Sequence, residues 1–67
     1  MSDWIDGSIK PTKIGIYERY YDGDIWCCKW DGQTWFTGVD NVYIAKNEKM
    51  ISRCQNLPWR EIEEEPK

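Results

Sequence analysis

Residues 14–38, IGIYERYYDGDIWCCKWDGQTWFTG, set the architecture. Two Asp-Gly pairs, Asp22-Gly23 and Asp31-Gly32, punctuate a run of Ile, Tyr, Trp and Phe. Asp-Gly suits a type I′ turn, which needs positive φ at both central residues, and the flanking residues suit a pleated, half-buried surface. The stretch predicts two β-hairpins sharing a middle strand. Counting outward from two-residue loops, Tyr21 faces Asp24, Arg19 faces Trp26 and Tyr17 faces Cys28 in the first hairpin. In the second, Trp30 faces Gln33, Cys28 faces Trp35 and Trp26 faces Thr37. Side chains alternate across a strand, so one face collects Tyr17, Arg19, Trp26, Cys28, Trp30 and Trp35. The other collects Ile14, Ile16, Tyr20, Ile25, Cys27 and Phe36. Neither face is polar, and apolar surface left wet costs roughly 25 cal/mol per Å². The flanks, or another chain, must cover what the meander leaves open.

The flanks supply candidates. In residues 1–12, Asp6-Gly7-Ser8 is a turn cluster, and the segment is expected to be an irregular lead-in that packs Trp4 and Ile9 on the sheet. Pro11 delivers the chain into the first strand in extended geometry. Residues 39–50 read two ways. Asp40 can cap a short helix over 40–48, with Lys46 and Lys49 near its C-terminus; alternatively, the β-rich Val42-Tyr43-Ile44 belongs to a hairpin turning at Asn47-Glu48. Residues 50–54 read as a last strand. In 55–62, Pro58 ends regular structure while Leu57 and Trp59 dock on an open sheet face. The expected fold is mainly β (β or α+β), an antiparallel meander of three to four strands, with the short helix at 40–48 as the α component. Residues 1–60 form one small domain, and 61–67 form an acidic, disordered tail.

A chain of 67 residues holds one core, and a domain this small buries only about 60% of its unfolded surface. Five Trp and four Tyr are the natural compensation, since each aromatic ring buries about 150–250 Å². Basic and acidic side chains balance within residues 1–60. The net charge of −3 therefore comes from Glu61, Glu63, Glu64 and Glu65 against Lys67. Without a basic patch, counterion release gives nucleic acid little to act on. No apolar run approaches the ~20 residues that span a bilayer, and no signal peptide stands at the start, so the expected location is the cytoplasm. Three Cys make a disulfide framework poor arithmetic, and reduced, packed thiols are expected.

The chain has no His, which removes the commonest general base and the imidazole partner of a Cys nucleophile. Adjacent Cys27 and Cys28 point to opposite faces of a strand and do not make a zinc site together. Gly15, Gly23 and Gly32 are spaced as strand and turn residues, with no phosphate-cradling loop. No catalytic residue, cofactor or metal ligand is expected, and the chain reads as a non-enzyme. What remains is aromatic: Tyr17, Trp26, Trp30 and Trp35 on one face, with Arg19 lying over Trp26. Burial arithmetic favours that face as core. If a binding surface exists, its candidate residues are Arg19, Trp26, Trp30, Trp35 and Tyr43, because exposed aromatics and Arg make binding hot spots.

Three ordered motifs add a resemblance: KPTKIGIYER at 10–19, W-D-G-x-x-W-F at 30–36 and Q-x-L-P-W-R at 55–60. Their order resembles small proteins of phages and prophages that open on P-x-x-x-G-x-Y-E-R, continue through W-D-G-x-x-W and close on L-P-W-R. The layout is also loosely similar to short phage domains of the DUF551 type. Those proteins look more helical and alanine-rich where this chain has VDNVYIAKNEK. The resemblance implies a phage-related origin, hence a host cytoplasm, and no site. The expected function is that of a small accessory protein acting by protein–protein contact, an inhibitor of a host factor being one form. Two alternatives stand beside it: a single-stranded nucleic-acid-binding sheet and a self-associating homodimer.

Overall fold

The computed structural model describes residues 4–62. The first hairpin forms as the turn chemistry dictates. Strand β1 (Gly15–Tyr21) pairs antiparallel with β2 (Asp24–Trp30) in the expected register, Tyr21 opposite Asp24 through Tyr17 opposite Cys28, and continues to Gly15 opposite Trp30. Asp22 and Gly23 take φ of 53° and 85°, the two positive values that a type I′ turn requires.

The second Asp-Gly behaves differently. Trp30 pairs with Trp35 rather than with Gln33, which makes a four-residue loop of 31–34. Only Gly32 has positive φ, 101°. Asp31 explains the choice. Its Oδ1 accepts from the N–H groups of Gln33 at 2.9 Å and Thr34 at 2.7 Å, so the side chain organises a longer loop that a two-residue turn would exclude. The wider loop also makes Trp30 and Trp35 cross-strand neighbours, with ring centroids 4.9 Å apart. A slip of two residues preserves strand parity, so the expected faces survive the wrong register. One further residue enters before Val39. Cys27 lies opposite Val39, where continuation from the Trp30–Trp35 pair places Gly38. A Cβ on Gly38 would stand 2.6 Å from Trp26 Cβ and 3.1 Å from Cys28 Sγ, so the chain fits there only as glycine.

Helix α1 (Val42–Lys46) resolves the ambiguous segment in favour of helix. Its cap is Asn41, not Asp40: the Asn41 carboxamide oxygen accepts from Ile44 N–H at 2.9 Å. The turn seats Ala45, fully buried, against β1 and β2. Residues 50–54 make no regular strand, but Ile51 bridges Phe36, Thr37 N–H donates to the Met50 carbonyl and Ser52 N–H donates to the Trp35 carbonyl.

The closing segment does more than dock. Pro58 opens a strand instead of ending the structure, because its carbonyl accepts from Tyr20 N–H and its missing N–H is not needed there. Strand β3 (Trp59–Glu61) then pairs antiparallel with β1, giving the order β2-β1-β3. Glu61 thus belongs to the sheet, not to a tail; residues 63–67 lie outside the described residues. In the lead-in, Ile5 bridges Trp59 and packs on the core, whereas Ile9 is mostly exposed. Trp4 lies against Tyr20, at 5.7 Å, with the Arg60 guanidinium 4.3 Å from its ring centroid.

Between these elements lies a core of Tyr17, Cys28, Trp30, Trp35 and Trp59, all from the expected face or the closing segment. Tyr17 meets the Trp35 and Trp59 rings edge-on, a favoured arrangement for the aromatic quadrupole. Gln55 completes the closure. Its Oε1 accepts from Trp35 N–H at 2.8 Å while its Nε2 donates to the carbonyls of Trp35 at 3.0 Å and Ser52 at 2.8 Å. One carboxamide therefore stands in for a strand beside Trp35. Lys10 makes a second clasp, its Nζ donating to Gly7 O, Gln55 O and Asn56 Oδ1. Among the described residues no helix is long and apolar enough to cross a membrane.

Candidate functional site

The five candidate surface residues separate cleanly. Trp35, Trp30 and Arg19 are 0%, 3% and 1% exposed, so Trp35 and Trp30 are withdrawn from a binding face, and Arg19 stays only as a buried lining residue of a cleft. The physical reason is the closing segment, which lays Trp59 and Gln55 over what an isolated meander leaves open. Trp26 is half-buried at the edge of the core, and Tyr43 on α1 is 78% exposed. Arg19 does not lie over Trp26 as expected. Its guanidinium sits 4.6 Å from the Trp35 ring centroid, donates from Nη1 to the Cys54 carbonyl at 2.7 Å and from Nη2 to Ser52 Oγ at 3.0 Å. Arg19 thereby ties the central strand β1 to residues 52 and 54.

A cleft of about 410 Å³ opens between the first hairpin and residues 50–57. Trp26, Cys28, Met50, Ile51 and Leu57 give it apolar walls, and Arg19 and Ser52 bring polar atoms to it. Sequence reasoning named Arg19 and Trp26 as candidates and placed Cys28 on the same face as a packed thiol, but missed the opposite wall. Met50, Ser52 and Cys54 carried no motif, and only the Q-x-L-P-W-R run hinted that 55–60 closes on the sheet.

The thiols offer little nucleophilic chemistry. Burial pushes the Cys28 thiol above its ordinary range, with the nearby Arg19 partly offsetting this, and burial likewise raises Cys27, helped by Glu18. The three cysteines are unpaired. Among the described residues no three His, Cys, Asp or Glu side chains gather closely enough to hold a metal ion. The ion pair found among them, Arg60 Nε to Glu18 Oε1 at 2.7 Å, ties β3 to β1 and lies outside the cleft.

The fold and site define a small antiparallel β domain with an aromatic core and one apolar cleft among the described residues. No protein-family model, curated protein or solved structure matches the chain.

Proposed function

We propose that this protein works by binding another protein chain and not by catalysis. The observation that carries the reading is the contrast between a self-covering aromatic core and the large apolar side chains left outside it. Tyr43 is 78% exposed, Met50 66%, Ile51 59% and Ile44 51%. Folding does not require these side chains to be apolar; Met50 and Ile51 line the cleft, Tyr43 and Ile44 lie on α1, and exposed apolar groups of this kind are what an interface uses. Burial raises the Cys28 thiol in the same cleft and the sequence has no His, which supports reading the site as one for contact. The motif resemblance supplies the setting that belongs to this reading: a phage- or prophage-encoded accessory protein in a host cytoplasm, with inhibition of a host factor as one outcome of contact.

Capture from host lysate on the immobilised chain, set against Tyr43→Ser and Met50→Ser, tests it. Both positions are exposed, so both variants should keep wild-type circular dichroism and thermal melting. A protein retained by the wild type and lost by either variant supports the reading. Equal capture by all three chains, or capture by none, refutes it; a dimer in sedimentation that the variants abolish moves the interface to a second copy.

A further inference from the structure

The lining of the cleft names its occupant, a step that rests on the binding reading above. Two arginines, Arg19 and Arg53, are among its lining residues and no Asp or Glu is, in a chain whose net charge is −3. Arg19 is a buried cation without a carboxylate partner among the described residues. Its two terminal nitrogens meet a neutral carbonyl and a neutral hydroxyl, and its Nε–H meets no acceptor. The indole N–H of Trp26, in the same lining, also has no acceptor. A buried guanidinium facing neutral groups keeps most of its uncompensated charge, and a buried N–H without an acceptor carries the full penalty of its lost water. The Trp35 face offsets part of this by cation–π attraction and none of the missing acceptors.

We propose that the cleft takes a large apolar side chain together with a carboxylate from an extended segment of a partner protein, the carboxylate facing Arg19 and the Trp26 indole. The volume lies within the range of about 300–1,000 Å³ typical of ligand sites, and the walls are apolar apart from this cationic corner. A carboxylate fits better than a phosphate. The lining offers two open N–H donors, enough for the two oxygens of a carboxylate, whereas a phosphate would leave further charged oxygens against apolar walls. Both open N–H groups are shielded from water, so the carboxylate reaches them as residues 50–54 give outward. That segment is joined to the sheet by the Phe36–Ile51 bridge with its flanking hydrogen bonds, by Arg19 on Ser52 Oγ and the Cys54 carbonyl, and by Gln55 on the Ser52 carbonyl. Entry of the carboxylate therefore exchanges neutral acceptors of Arg19 for a charged one.

The test is a titration of the 15N-labelled full chain with acetyl-Phe-Leu bearing a free carboxylate and with the same dipeptide as its C-terminal amide. The expected result is saturable shifts at the Trp26 indole, Gly38 and Ser52, with the acid at least about tenfold tighter than the amide. Ile51→Glu, at an exposed position of the lining, should weaken the acid by about tenfold without altering the fold. Equal affinity for acid and amide, shifts confined to another surface, or no saturation in the millimolar range overturns the proposal. Tighter binding of inorganic phosphate than of the dipeptide overturns the carboxylate assignment. The full-length triple variant Glu63→Gln, Glu64→Gln, Glu65→Gln should bind the dipeptide as the wild type does. A tenfold gain there would make the chain's own end the occupant and overturn the partner assignment. Failure of the dipeptide while Tyr43→Ser and Met50→Ser still lose a captured protein sinks only the cleft proposal.

Discussion

Gln55→Glu isolates the clasp that closes the core, because it changes one NH₂ to an oxygen and leaves shape intact. The retained Oε1 still accepts from Trp35 N–H at 2.8 Å. The new oxygen, however, faces the carbonyls of Trp35 and Ser52 at 3.0 and 2.8 Å, where Nε2 donated. Two hydrogen bonds of about 1 kcal/mol each disappear, and two acceptor–acceptor contacts replace them. The protein can escape by protonating the introduced carboxyl, which at neutral pH costs about 3.7 kcal/mol for a group of ordinary pKa near 4.3. Protonation restores one donor, so the total penalty at pH 7 is bounded near 4–5 kcal/mol and should reach at least about 2. A domain of this length has roughly 3–10 kcal/mol to lose. The sign of the pH dependence is distinctive. The folded state disfavours the charged carboxylate, so its folded pKa rises above the unfolded value and the folded chain binds more protons between the two. The deficit of the variant against wild type should therefore shrink as pH falls toward 4. Urea unfolding followed by Trp fluorescence at pH 7 and pH 4 measures it, with Gln55→Leu as the control whose deficit stays constant. A Gln55→Glu deficit below about 0.5 kcal/mol at pH 7, or one unchanged by acid, would refute the clasp.

Other expectations follow from single contacts. Gly7→Ala should destabilise by about 3 kcal/mol, the upper end of overpacking, because a Cβ there would lie 1.9 Å from the Asn56 carbonyl oxygen, on backbone that cannot rotate away; urea titration measures it. Hydrogen bonds from Gln33 and Thr34 hold the Asp31 carboxyl below its ordinary 3.8. That contribution is present above the unfolded pKa and is lost as pH falls through the lower folded one, so Asp31→Asn should flatten the acid arm of a Tm-against-pH curve. Cys28, 1% exposed and with its thiol raised by burial, should resist iodoacetamide at neutral pH until denaturant is added, as read by peptide mass mapping. Labelling of Cys28 in the native chain at the rate of Cys54 would contradict its place in the core.

The candidate site was only half legible because its two walls come from different kinds of sequence signal. Trp26, Cys28 and Arg19 lie on strands with a turn at a fixed offset, and alternation assigned their face. The opposite wall, Met50 to Leu57, has neither period nor turn pair to register it; it is placed by Gln55 and Arg19, whose partners are 20 and 33–35 residues away in sequence. Residues that bind through single long-range side-chain contacts leave no local pattern to read. Arg19 was assigned to Trp26 for the same reason, since cross-strand geometry is local and its true partner, Trp35, depends on the width of a loop.

Local chemistry set the first hairpin to the residue, because Asp22-Gly23 takes the type I′ turn it favours and that turn counts out the register. It also set which aromatic face becomes core, since that depends on parity alone and a two-residue slip leaves parity untouched. Side-chain contacts that no turn pair or hydrophobic period announces settled the rest. They chose four residues over two for the second loop, where the Asp31 carboxylate and the Trp30–Trp35 contact outweigh the local turn preference. They chose helix over strand for Val42–Lys46, where Asn41 and buried Ala45 outweigh β propensity. They turned the segment after Pro58 into the strand that closes the sheet on β1. In each case local preferences differ by about 1 kcal/mol or less, so a few side-chain hydrogen bonds and one buried indole suffice to tip the balance.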